Sequence, residues 1–201
     1  MFIPYHRPYM TDDEVNAAAE TIRNGWLTMG QKTIDFEARF ASYLGAQNAV
    51  AVNSGTAALH LALCAIGLKA GDEVIVPTTT FVATAEVVRY FGATVVMCDV
   101  EKGTHCIDAS KIEPLITAKT RAIIPVHFGG QPCDMDEIVA LAHAKGIVVI
   151  EDAAHAFPAY YKDRAVGTIG DITCFSFYVT KTLAAGEGGM THATAHGWMG
   201  R

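Results

Sequence analysis

Five short apolar runs, alternating with segments of helical spacing, constrain this chain most. Ala49-Val50-Ala51-Val52 precedes a helix-patterned stretch from Gly55 to Gly67, and Glu73-Val74-Ile75-Val76 precedes one through Ala83–Tyr90. Thr94-Val95-Val96-Met97-Cys98 precedes one beginning near Asp108. Arg121-Ala122-Ile123-Ile124-Pro125-Val126 precedes one from Asp134 to Lys145, and Ile147-Val148-Val149-Ile150 ends in Glu151-Asp152. The runs are apolar throughout, with no polar residue at every second position. Strands of that kind are buried on both faces, which predicts an α/β fold whose mostly parallel sheet carries helices on both sides. Ligands of such sheets sit at the carboxyl ends of the strands. The functional candidates are therefore the residues just after each run.

The remaining segments read around this unit. An extended arm leads to Thr11-Asp12-Asp13-Glu14, the form of a capping box, and the helix it opens should stop at Asn24-Gly25. Trp26-Leu27-Thr28-Met29-Gly30 reads as a loop. A second helix carries Phe36, Phe40, Tyr43 and Leu44 at helical spacing and ends at Gly45. Tyr160–Val166 looks like a hairpin, Ile172–Phe177 like a strand, and Gly188-Gly189-Met190 opens a last strand. Thr191–Arg201 fits neither strand nor helix. The expected organisation is an arm and helix over 1–35, a large domain over 36–190 and an atypical tail over 191–201.

With 201 residues, of which 51% are hydrophobic and 18% charged, the chain can build a sizeable core. A formal net charge of −6 and the lack of any basic stripe argue against a nucleic-acid partner. No apolar run is long enough to span a bilayer, and the first residues lack the pattern of a signal peptide. The five cysteines, at 64, 98, 106, 133 and 174, form no CxxC pair. They read as small core residues in a reducing cytoplasm rather than as a disulfide framework or a zinc site. His192 and His196 stand four apart, but no third ligand is near, so no metal is expected.

Each strand end offers a candidate with an ordinary alternative. Asn53-Ser54-Gly55-Thr56-Ala57 opens a helix, and free N–H groups at a helix start suit a phosphate; the alternative is a plain N-cap at Ser54 or Thr56. After the second run, Phe81 can stack on a flat ring or fill core. After the fifth, Asp152 can face a pyridinium nitrogen while Glu151 serves the backbone; the alternative is a helix cap. Ser176 offers a hydroxyl, or is a sheet serine bonded to a neighbour. Lys181 is flanked by Phe175, Phe177, Tyr178, Val179 and Leu183. Desolvation there would favour its neutral, nucleophilic amine, which can form a Schiff base; the alternative is a lysine snorkelling from a strand end. A phosphate cradle, a ring stacker, a carboxylate and a desolvated lysine together are what pyridoxal 5′-phosphate requires.

At this point the chain resembles a family. Gly25-Trp26-Leu27-Thr28, Ser54-Gly55-Thr56-Ala57-Ala58-Leu59-His60, Gly71-Asp72-Glu73-Val74-Ile75-Val76-Pro77, Ile124-Pro125-Val126-His127, Glu151-Asp152-Ala153-Ala154-His155-Ala156, and Phe175-Ser176-Phe177 through Lys181 to Gly186-Glu187-Gly188-Gly189 look like the motifs of the DegT/DnrJ/EryC1/StrS sugar aminotransferases. The resemblance runs over about residues 2–190. It implies the large domain of an aspartate-aminotransferase-like, fold-type I pyridoxal-phosphate enzyme. It also implies roles. Lys181 would be the Schiff-base lysine and acid/base, Asp152 the partner of the ring nitrogen, and Phe81 the ring stacker. Thr56, Ala57 and Ser176 would hold the phosphate, Ser54 and Gly55 would belong to the same cofactor site, and His155 would sit near the ring's phenolic oxygen. Trp26, Leu27 and Thr28 would line a sugar pocket, while His127 would brace a strand end. Glutamate would donate an amine that passes to a keto nucleotide sugar, most closely a 4-keto one, in a homodimeric enzyme.

The chain also departs from the family's pattern. Thr182 follows the lysine where Asn is frequent. Family members continue beyond Glu-Gly-Gly through a linking helix into a small C-terminal domain that supplies dimer contacts and an Asn reaching the partner's cofactor phosphate. This sequence stops at Arg201, and its tail does not match that continuation, so a frameshifted or truncated reading frame, or a deliberate fragment, is expected. Three functions are therefore compared: an aminotransferase or its cofactor domain, a non-catalytic fragment that at most binds the cofactor, and a pyridoxal-phosphate-binding regulatory module. The strand-end residues favour the first, and no DNA-binding motif or basic patch supports the last.

Overall fold

The computed structural model describes residues 2–4 and 6–194. Helix α1 (Asp12–Arg23) starts at the expected capping box: Thr11 accepts the Asp13 N–H, and the Glu14 carboxylate accepts the Thr11 N–H. It buries none of its residues. Helix α2 (Gln31–Leu44) begins ahead of position 35 and ends on Gly45, whose φ of 71° is the left-handed conformation that glycine adopts without steric cost. Phe40, Ala41 and Leu44 are its buried face.

The alternating segments form β1 (Val50–Val52), α3 (Gly55–Ala65), β2 (Glu73–Pro77), α4 (Val82–Arg89), β3 (Thr94–Cys98), β4 (Thr120–Ile123), α5 (Met135–Ala144) and β5 (Val148–Asp152). The hairpin is β6 (Tyr160–Tyr161) with β7 (Arg164–Ala165), and the chain continues through β8 (Ile172–Ser176) and β9 (Gly189–Ala193). Seven strands make one sheet in the order β1-β9-β8-β5-β4-β2-β3. Only β9 runs antiparallel to its neighbours, β1 and β8. The mostly parallel α/β sheet is thus as the apolar runs imply.

Strand geometry explains the layers. Successive residues point to opposite faces. Val74 and Val76 of β2, with Ile150 and Cys174 of the central strands, pack on one face against Leu59 and Leu63 of α3 and Val87 and Val88 of α4. Ile75, Ile123 and Val149 point the other way, onto Met135, Ile138 and Ala142 of α5. On that second face α2 covers the far end of the sheet, where Phe40 meets Phe175, Phe177 and Phe157 with ring centroids 4.8–5.8 Å apart across the cluster.

Three expectations need correction. The segment after Asp108 is not a regular helix but two 3₁₀ turns, Ala109–Lys111 and Glu113–Leu115. Pro114 lies at the start of the second turn and has no N–H to continue an α-helical ladder. Glu151 and Asp152 do not follow β5; they are its last two residues, and strand alternation sends them to opposite sides. Thr191-His192-Ala193, read as patternless, completes β9: all three pair with β8, and Thr191 also pairs with β1. His192 is buried there with its Nδ1 2.7 Å from the Asn48 carbonyl, to which it donates; His196 lies outside the described residues. Cys98, Cys106, Cys133 and Cys174 are buried and Cys64 is exposed, all as free thiols.

Candidate active site

The carboxyl ends of β1, β2, β5 and β8 converge with the N-termini of α3 and α4. At α3, Ser54 is the N-cap, and its Oγ accepts the Ala57 N–H at 3.1 Å. The plain N-cap reading of Ser54 is therefore correct, but it uses only one donor. The Gly55 and Thr56 N–H groups precede the first intrahelical hydrogen bond and have no partner among the described residues, so they remain free for an anion. Two glycines bring the neighbouring strands against this terminus. A Cβ on Gly55 would lie 2.9 Å from the Ser176 Cβ, so glycine lets β8 approach with its hydroxyl. A Cβ on Gly189 would lie 2.6 Å from the backbone C and O of Ser54 and 2.8 Å from the Gly55 nitrogen, so β9 requires glycine here. Ser176 Oγ accepts the Tyr178 N–H at 3.4 Å and keeps its own proton free to donate.

Asp152 is 4% exposed. One carboxylate oxygen accepts the Thr84 hydroxyl at 2.8 Å and the other the Ala154 N–H at 3.1 Å. No α-helix follows it, so it is not a helix cap. Among the described residues no cation lies within ion-pair distance of it. A buried carboxylate held by two neutral donors keeps acceptor sites unfilled and its charge unbalanced. A protonated ring nitrogen matches that need.

Lys181 stands beyond β8, in the turn its backbone N–H makes with the Tyr178 carbonyl. Its ammonium is held below the ordinary lysine value, because burial disfavours the charge and only partly yields to the opposing attraction of Asp152. Of its sequence neighbours, Phe175 and Phe177 lie in the core beneath α2, and Tyr178 and Leu183 are exposed. His155, on the turn after β5, accepts the Gly129 N–H on Nδ1 at 3.3 Å. Partial burial, and then the charge of Lys181, hold its imidazolium below the usual histidine range. Lys181, Asp152 and His155 therefore lie within electrostatic reach of one another. Phe81 is the N-cap residue of α4 and 71% exposed, so it is not core filler.

Behind Asp152 lies a buried polar brace. His127 and Glu151 are both fully buried, with Nε2 2.9 Å from the carboxylate. The Cys133 N–H donates to His127 Nδ1 at 3.2 Å, which leaves the ring proton on Nε2 to donate to Glu151. The second Glu151 oxygen accepts from Gly170 N–H at 2.7 Å, the Thr173 hydroxyl at 3.0 Å and Ile169 N–H at 3.3 Å. Burial pushes this carboxyl up, but the His127 contact, the Gly170 N–H and the Thr173 hydroxyl outweigh it and hold it below its ordinary value. Glu151 thus serves the backbone, and His127 braces the strand end.

The sugar-pocket candidates stand apart. Trp26 donates from Nε1 to the Met29 carbonyl at 2.9 Å. Trp26 and Thr28 line a cleft of about 620 Å³ formed between α1 and α2, while Leu27 is exposed. Among the described residues no hydrogen bond or ring contact joins these three to Lys181 or Asp152. Thr84, Gly189 and Gly129 belong to the site but were not singled out from sequence for it.

The chain is 52% identical over 189 residues to the spore coat polysaccharide biosynthesis protein SpsC of Bacillus subtilis, covering 94% of this chain and 49% of that protein. It is 45% identical over 190 residues to GDP-perosamine synthase of Escherichia coli O157:H7, covering 94% and 52%. The PLP-form of a sugar aminotransferase, Spr1654 of Streptococcus pneumoniae, superimposes with a TM-score of 0.93 at 36% identity, over 98% of this chain and 54% of that one. The chain spans about half the length of the curated relatives it matches. The match to the family model continues past Met190. Matched by that model from residue 8 to residue 195, the chain belongs to the DegT/DnrJ/EryC1/StrS aminotransferase family.

Proposed function

We propose that this chain carries the cofactor half of a pyridoxal-phosphate-dependent aminotransferase that moves an amino group from glutamate to a keto nucleotide sugar, at a 4-keto position. The observation that carries the proposal is the pairing of Lys181, its ammonium destabilised, with the buried and unbalanced carboxylate of Asp152. The residues present fit the cofactor. Asp152 would hold the ring nitrogen protonated, Phe81 would cover one ring face, and His155 would approach the phenolic oxygen. The free N–H groups of Gly55 and Thr56, with the Ser176 hydroxyl, would hold the phosphate at the start of α3, where the helix dipole favours negative charge. Ser54 and Ala57 would contribute by fixing that terminus through their own hydrogen bond.

Bound there, pyridoxal phosphate would supply an electron sink for the electrons left when the amino donor loses its α-proton. Lys181, its proton affinity lowered by burial, would be the group that takes that proton and delivers it to the cofactor. Trp26, Leu27 and Thr28 would contact the sugar, the names of SpsC and GDP-perosamine synthase supporting a sugar substrate. A homodimer is part of the proposal, and light scattering checks it. Free thiols fit a reducing compartment. No helix among the described residues is long and apolar enough to cross a membrane.

A single-turnover assay tests the proposal. The chain loaded with pyridoxal phosphate and given glutamate should release about one equivalent of 2-oxoglutarate, and Lys181→Ala should release none. Cofactor fixed at Lys181 without any 2-oxoglutarate would instead favour a chain that binds cofactor and turns nothing over.

A further inference from the structure

We infer that Thr84 and Thr80 form a hydroxyl relay that orients Asp152, making Thr84 a positioning residue for the cofactor's ring nitrogen. The inference rests on the role proposed above for Asp152.

Thr84 is fully buried on α4, among Ala83, Val87 and Val88. Thr84 lies in the first turn of α4 and donates to Asp152 Oδ2 at 2.8 Å, across 68 residues of sequence. An ionised carboxylate only accepts, so the single Thr84 proton is committed to it. The 2.6 Å contact between the Thr80 and Thr84 hydroxyls is then directed as well: Thr80 donates and Thr84 accepts. Two hydroxyls in series, both pointing toward the carboxylate, polarise one another in the same sense.

The other carboxylate oxygen is held by Ala154 N–H from a different element. With one donor on each oxygen, from α4 and from the turn after β5, the plane of the carboxylate is fixed. The same helix carries Phe81 as its N-cap, one turn before Thr84. The hydroxyl therefore ties the residue that would cover the ring to the residue that would meet its nitrogen.

A role in packing alone would alter stability without regard to the ring nitrogen, and this separates the two cases. Binding of pyridoxal phosphate and of its 1-deaza analogue, in which C–H replaces the ring nitrogen, is measured by absorbance and fluorescence titration. The proteins are the full 201-residue chain and the variants Thr84→Val, Thr84→Ser and Thr80→Val, each checked by circular dichroism. Thr84→Val is expected to weaken pyridoxal phosphate by about 10-fold, the size of one lost charge-assisted hydrogen bond, and to leave the deaza analogue within about 2-fold. Thr84→Ser should restore binding, and Thr80→Val should lose about 3-fold, as the outer member of the relay. Equal loss for both ligands, or unchanged pyridoxal phosphate binding by a folded Thr84→Val, overturns the relay. If Thr84→Val does not fold, unchanged binding by Thr80→Val overturns it. Failure of the parent chain to bind pyridoxal phosphate removes the Asp152 role itself, and the relay with it.

Discussion

Replacing Glu151 by glutamine keeps the volume of the side chain but changes one atom's hydrogen-bonding sense. The amide oxygen can still accept from Gly170, Ile169 and Thr173. Its NH₂ group must then face His127 Nε2, which already carries the ring proton because Nδ1 accepts from Cys133. Two donors meet, or the ring changes tautomer and the Cys133 N–H loses its acceptor. Either way one charge-assisted hydrogen bond is lost in a fully buried place, a cost of about 1.5–3 kcal/mol. Glu151→Leu removes the acceptor altogether and strands His127, Gly170 and Thr173 donors, which raises the expected cost to about 3–5 kcal/mol, as for a broken buried pair. Urea unfolding at pH 7 measures both. The sign of the pH dependence follows from the carboxyl lying below its ordinary value when folded. Its contribution is fully present above the unfolded-state value, about 4.3, and is lost as pH falls through the folded value. The gap between parent and Glu151→Gln should therefore be constant near neutrality and shrink on acidification below about pH 4. A Glu151→Gln protein within about 0.5 kcal/mol of the parent at pH 7 would refute the brace.

Two further outcomes are expected. Gly189→Ala places a Cβ 2.6 Å from the Ser54 backbone, so β9 and the start of α3 must part; unfolding should cost about 1–3 kcal/mol less. Pyridoxal phosphate affinity should drop with it, whereas a stable variant with unchanged affinity would remove the glycine from the site. Competitive acetylation followed by mass spectrometry should find the Lys181 amine titrating below the exposed lysines, because burial lowers it. Asp152→Asn should lower it further, since Asp152 is the group that opposes that shift; an increase would contradict the proposed electrostatics.

Much of the fold was legible because burial on both faces leaves a continuous apolar run, as in Val74-Ile75-Val76 and Val148-Val149-Ile150. The strand-end rule then led to Ser54, Asp152 and Ser176. What escaped depended on juxtaposition. Gly189 matters only because β9 crosses the start of α3, and Thr84 only because α4 lies beside the end of β5. One signal for Thr84 was available: a lone hydroxyl between Ala83 and Ala85, on a helix face that otherwise reads as core. β9 was cut short at Met190 because Thr191-His192-Ala193 has no strand pattern of its own; pairing along β8 makes it a strand. The helix expected after Asp108 failed on a legible feature, Pro114.

The central claim is that Lys181 is the residue that holds the cofactor. Borohydride reduction of the chain with added pyridoxal phosphate, followed by peptide mapping, measures this directly. A single pyridoxyl group on Lys181 is the predicted result. Labelling spread over surface lysines such as Lys69 and Lys102, or no labelling, would contradict it.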